Sequence, residues 1–165
     1  MKHMKNLRSY LTERLLINKN FKDNNKITVS SLKELKNIIK ERYVDPNTKK
    51  PNNHIDLSDI DVSELNDLST AFLWYRFKTI DISGWDTSNV KDMGMMFYGC
   101  YELTDIIGIE NMNIDNVKCM AYMFSDCRKL DITDKIKNWK VNPKNVKVSD
   151  MFRECPTKFK FTIKK

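Results

Sequence analysis

Four phenylalanines, Phe72, Phe97, Phe124 and Phe152, follow one another at spacings of 25, 27 and 28 residues. A period of that size is the sequence signature of short units that bury their apolar faces on one another. Other positions hold the same phase. Leu68, Met93, Met120 and Val148 stand four residues before each Phe, and Leu65, Val90 and Val117 stand seven before the first three. Ile60, Trp85 and Met112 lie twelve before, with Trp139 thirteen before Phe152. Three residues after the Phe come Tyr75, Cys100, Cys127 and Cys155. The fourth unit is looser, with Asn145 where the others carry Leu or Val, and Pro143 inserted nearby.

Each unit divides in two. A short alternating run such as Ile80-Asp81-Ile82-Ser83 predicts a strand with one buried face. Val90, Met93, Met96 and Phe97 are spaced by three and four, which predicts one or two turns of α- or 3₁₀-helix. Between them, Asp86-Thr87-Ser88-Asn89 are residues that bond their own backbone and start turns. Such units are expected to stack, with a ladder of Phe rings inside and a second ladder of strand Ile and Leu.

The run WDTSNVKDMGMMFYGC, echoed by NVKCMAYMFSDC, resembles the BspA-like repeats of bacterial surface proteins and mycoplasma lipoproteins. That family is similar to leucine-rich repeats. The resemblance spans about residues 54–156 and is strongest in the second unit. It implies an α/β fold, a short leucine-rich-repeat-like solenoid, with a role in protein binding or adhesion at the cell surface. It carries no catalytic residues over.

Around this body the expected organisation is a helical N-terminal cap over residues 1–50, about four repeats over 54–156, and a C-terminal capping strand over 157–165. Leu7, Leu11, Leu15 and Leu16 lie on one face of a first helix. Ile27 and Val29 suit a short strand. Ser31 and Glu34 form a capping box that opens a second helix ending near Tyr43, and Asp45-Pro46-Asn47 stops it. Phe159, Phe161 and Ile163 alternate with lysines, the pattern of a closing edge strand. The start of the chain is basic, but no long apolar run follows it, so the sequence displays no secretory signal; export is implied by the resemblance alone.

Little in the sequence points to catalysis, and the protein is expected not to be an enzyme. His3 and His54 are the only histidines, and His54 suits a surface turn. Four scattered glycines make no phosphate loop. No cofactor or metal is expected: the four cysteines lack CxxC pairing and read as free, buried thiols. Asp56, Asp59, Asp61, Asp81 and Asp86 crowd two units. Asp59-x-Asp61 resembles a fragment of a calcium loop without the loop's other ligands, and turn-forming roles account for most of the set.

The functional expectation is therefore a non-catalytic scaffold that binds a macromolecule, most readily a protein, through a curved strand face. Asp56, Ser58, Asp81, Ser83, Ile106, Gly108 and Thr133 are the outward strand positions of that face. The net charge of +7 suggests an alternative. Residues 135–165 hold ten Lys and Arg against two acidic residues, so the rest of the chain is close to neutral. Lys135, Lys137, Lys140, Lys144 and Lys147, with Trp139 nearby, would suit a nucleic acid or another polyanion.

Overall fold

A computed structural model describes residues 26–45 and 48–161. It is a single small α/β fold with one α-helix and two small parallel sheets. The elements are β1 (Ile27–Thr28), α1 (Leu32–Tyr43), β2 (His54–Asp56), β3 (Ile60–Asp61), β4 (Thr79–Asp81) and β5 (Asp105–Ile107), followed by a 3₁₀ turn at Ile109–Asn111. β1 pairs with β3, and β2, β4 and β5 make the three-stranded sheet. The leucine-rich-repeat-like solenoid is not what forms. The strands are two or three residues long, the larger sheet stops at β5, and among the described residues no α-helix follows β2, β3, β4 or β5, with a single 3₁₀ turn after β5.

Where that helix was expected, the chain runs as consecutive β-turns. In the first unit, the N–H groups of Ala71, Leu73 and Tyr75 donate to the carbonyls of Leu68, Thr70 and Phe72. Turns closed three residues back place side chains at nearly the spacing of a helix, which is why the apolar pattern read as one. Two residues per unit adopt the left-handed conformation: Thr70 and Trp74, Met95 and Gly99, Tyr122 and Asp126, Asp150 and Glu154. A helix cannot continue through such residues.

The alternate N–H groups face the next unit. Leu68, Thr70, Phe72 and Trp74 donate to Asp92, Gly94, Met96 and Tyr98, at 2.9–3.0 Å. Met93, Met95, Phe97 and Gly99 repeat this on the third unit, and Met120, Tyr122, Phe124 and Asp126 on the fourth. Inside, the Phe rings form the expected ladder, with centroids 4.9 Å apart for Phe72–Phe97, 5.6 Å for Phe97–Phe124 and 5.3 Å for Phe124–Phe152. Ile55, Ile80 and Ile106 stand in register on the sheet and are buried.

α1 begins as its sequence requires. The Ser31 hydroxyl accepts from the Glu34 N–H at 3.3 Å. Glu34 reaches back to the N–H of Ser30, one residue earlier than a strict capping box. Leu35 and Ile39 are fully buried, Lys36 donates to Thr70, and Arg42 clamps Asp59 and the Asp56 carbonyl. The expected first helix at residues 5–20 lies outside the described residues. The expected closing strand is not formed over Phe159–Phe161, and the rest of it, from Thr162 on, lies outside the described residues. Phe159 instead sets its ring 5.6 Å from Phe152.

Candidate functional site

The aspartates that crowd the early units close turns. Asp56 Oδ1 accepts from the Ser58 N–H and hydroxyl at 2.9 and 2.7 Å. Asp81 accepts from Ser83, Asp86 from Ser88, and Asp131 from Thr133. A carboxylate that receives a hydroxyl and an amide holds its charge more easily, and these bonds, led by the Ser58 hydroxyl, lower the Asp56 pKa. The Thr133 hydroxyl lowers Asp131 in the same way. Among the described residues no group of three or more His, Cys, Asp or Glu is placed to hold a metal ion. His54 Nδ1 lies 2.7 Å from the Thr79 hydroxyl on an exposed strand.

The expected strand face comes apart in this geometry. Asp56 and Asp81 are neighbours on β2 and β4, and Ser58 and Ser83 follow in the turns after them. Ile106 points into the core, and Asp105 and Ile107 point outward, one residue out of step with the expected register. Gly108 is buried, with φ 88°, and packs on the Ser83 backbone. Thr133 lies in a turn of the fourth unit, where no strand exists, and its hydroxyl accepts from the Lys158 N–H. A three-stranded sheet of three-residue strands offers no concave leucine-rich-repeat face, so the binding role assigned to that face falls with it.

The basic alternative loses its two best residues. Trp139 is 6% exposed and takes the core position of Trp85. Lys135 puts its ammonium 2.5 Å from Asp105 and 3.1 Å from the Ile106 carbonyl, so it serves the fold. Lys137, Lys140, Lys144 and Lys147 are exposed.

Of the cysteines, Cys100 and Cys127 are fully buried and all four are free. Their thiols do more than fill space. Cys100 donates to the Phe72 carbonyl at 2.9 Å and Cys127 to the Phe97 carbonyl at 3.0 Å, tying each unit to the one before. Burial pushes the Cys100 thiol up to about 12, so it stays protonated and donating at neutral pH.

The turn side carries a surface the sequence reading missed. Trp74 is 54% exposed, the most exposed large apolar side chain among the described residues. Its indole lies directly over Gly99, where an added Cβ would come within 2.2 Å of the ring. Tyr98 meets it edge-on at 5.0 Å, and Tyr122 continues the row at 6.4 Å. Met95, 40% exposed, occupies the left-handed position equivalent to Tyr122. The sequence held one signal for this ridge. Trp85 and Trp139 fall at the repeat's own core position, whereas Trp74 falls two residues after a Phe, outside the buried pattern.

The family described as Mycoplasma protein of unknown function, DUF285, matches residues 17–165. No curated protein and no solved structure matches the chain. The match replaces the BspA-like, leucine-rich-repeat identification, and with it the surface-protein and adhesion roles that the resemblance alone implied. Among the described residues no helix is long and apolar enough to cross a membrane.

Proposed function

The chain belongs to the DUF285 family of Mycoplasma proteins, and on the geometry above we propose that it recognises a partner protein, without turnover, through the ridge of Trp74, Met95, Tyr98 and Tyr122. One observation carries the reading. The backbone demands a left-handed residue at position 74, and its equivalents in the other units are Gly99, Asp126 and Glu154. Glycine takes that conformation freely, and a bulky side chain pays roughly 1–2 kcal/mol for it. The indole packs over Gly99 and Tyr98, yet it is 54% exposed, so folding alone does not account for a tryptophan there. Strain held under a large surface aromatic is a feature of recognition sites. Trp and Tyr dominate the energetics of protein interfaces, because they bring area at little entropic cost.

The turn carboxylates favour a reading without turnover, although burial raises the Glu41 pKa on α1. The pKa values of Asp56 and Asp131 are lowered by turn hydrogen bonds, and each of those groups is engaged by its own backbone. A general acid would need the opposite shift.

A photo-crosslinking amino acid at position 74, 98 or 122 should join the chain to one protein in extracts of the source organism at physiological salt. The same probe at Lys137 or Lys140 should not. Equal labelling at all five positions, or adducts containing only nucleic acid, would reject the ridge as the contact. Iodide quenching gives a second readout, because Trp74 is exposed while Trp85 and Trp139 are buried.

A further inference from the structure

On the turn side each unit gives four N–H groups to the next and receives one or two in return at its start, from Lys91 and Asp92 to Asn66, from Lys118 and Cys119 to Lys91, and from Lys147 to Lys118. The fourth unit has no described neighbour to take its own four. The N–H groups of Val148, Asp150, Phe152 and Glu154 stand where Met120, Tyr122, Phe124 and Asp126 stand one unit earlier, and they have no partner among the described residues. The apolar side chains along this edge are incompletely covered. Val148, Phe152 and Cys155 are half-buried, whereas Met120, Phe124 and Cys127 are buried. Within 157–161 Lys158 bonds Thr133 and Phe159 sets its ring against Phe152, but no carbonyl of this run accepts from the four N–H groups.

We propose that this edge binds an acidic peptide segment of a partner protein, which adds to the fourth unit in consecutive turns, as each unit adds to the one before. The chemistry of the occupant follows from the three junctions already made. Each supplies a row of backbone carbonyls to four N–H groups, with apolar residues in the spacing of Met120, Met123 and Phe124 turned inward. A row of donors in alternating right- and left-handed backbone is also a concavity that favours negative charge. Lys144, Lys147 and Arg153 are exposed along it against Asp150 and Glu154, and residues 135–165 as a whole are strongly positive, so acidic residues suit the occupant's outward positions. Backbone bonds would supply affinity and the inward side chains specificity, as in strand addition to a sheet edge. The site is separate from the aromatic ridge, and either can fail without the other.

The test uses the full chain and a synthetic peptide with the sequence of residues 116–128 carrying K118E and R128E, in reducing buffer. In the free protein the amides of Val148, Asp150, Phe152 and Glu154 should exchange with solvent far faster than those of Met120, Tyr122, Phe124 and Asp126. Saturating peptide should slow the four at least about tenfold, a scrambled peptide should not, and Lys147→Glu with Arg153→Glu, both at exposed positions, should weaken binding by about tenfold or more while leaving the thermal midpoint nearly unchanged. Four amides already protected in the free chain would overturn the proposal. So would protection confined to other residues, or equal protection by the scrambled peptide.

Discussion

The two sides of each unit are built by different rules. On the strand side, hydrogen bonding between units depends on three short strands and ends at β5. In the fourth unit side chains take over, with Lys135 bonded to the Ile106 carbonyl and Thr157 to the Leu130 carbonyl and the Ile132 N–H. On the turn side, four N–H groups cross every junction from the first unit to the fourth. The phase of the chain is thus kept by the turns, and the sheet is the part that gives way. An α/β repeat read from its strands alone assigns the continuity to the wrong side.

Substitutions can break that asymmetry or sharpen it. The largest effect is expected from Phe97→Ala, which removes a ring stacked on both Phe72 and Phe124. A loss of about 3–5 kcal/mol should appear in urea unfolding. Ile106→Ala, on the strand side, should lose less, toward the lower end of the roughly 2–5 kcal/mol typical of such a truncation. If Ile106→Ala proves the more damaging, the turns do not hold the phase. Next comes Gly99→Ala, which both strains a left-handed residue and displaces the Trp74 indole. It should cost about 1–2 kcal/mol and change Trp74 quenching, whereas Trp74→Gly should be neutral or stabilising. Lys135→Met should cost about 1 kcal/mol, because the Ile106 carbonyl loses a charged donor at a partly exposed position.

The smallest effects are read from pH. Asp56 and Asp131 have folded pKa values below the ordinary carboxylate value, so the stability they add is present above about pH 4 and is lost as pH falls through the depressed values. Asp56→Asn keeps an accepting oxygen and should flatten that acid limb slightly. Cys100 shifts the other way. Its thiol pKa rises to about 12 in the folded chain, so its contribution is complete below the unfolded thiol's pKa and declines as pH rises above about 8.5. Cys100→Ser should lessen the decline in the alkaline limb of the thermal midpoint, to which the thiols of Cys127 and Cys155, also raised by burial, contribute as well.

Much of the interior was legible because burial repeats. The Phe positions, the inward Ile of β2 and β4 and the start of α1 follow from apolar spacing and a Ser–Glu pair. The turns were not legible for a physical reason. Left-handed positions normally announce themselves with glycine, and here Thr70, Trp74, Met95 and Tyr122 occupy them. Without that mark, a three-to-four spacing reads as a helix. The slip at Ile106 came from two adjacent isoleucines, either of which satisfies an alternating pattern. Burial pattern cannot find an exposed ridge at all, so Trp74 emerged only from the packing of its ring over Gly99. Charge alone likewise does not reveal that Lys135 is engaged with Asp105.

The amide-to-carbonyl bonds between units on the turn side also bear on how the molecule would yield to force. They lie along the direction in which the units follow one another, so tension between the ends of the described chain would not load them together. It would open the junctions singly, beginning where the fewest contacts resist. The fourth unit, with its half-covered Val148 and Phe152 and no strand, is the first to peel, and β1, α1 and the first unit are the last. A pulling experiment would accordingly record a stepped, low-force extension in place of a single rupture.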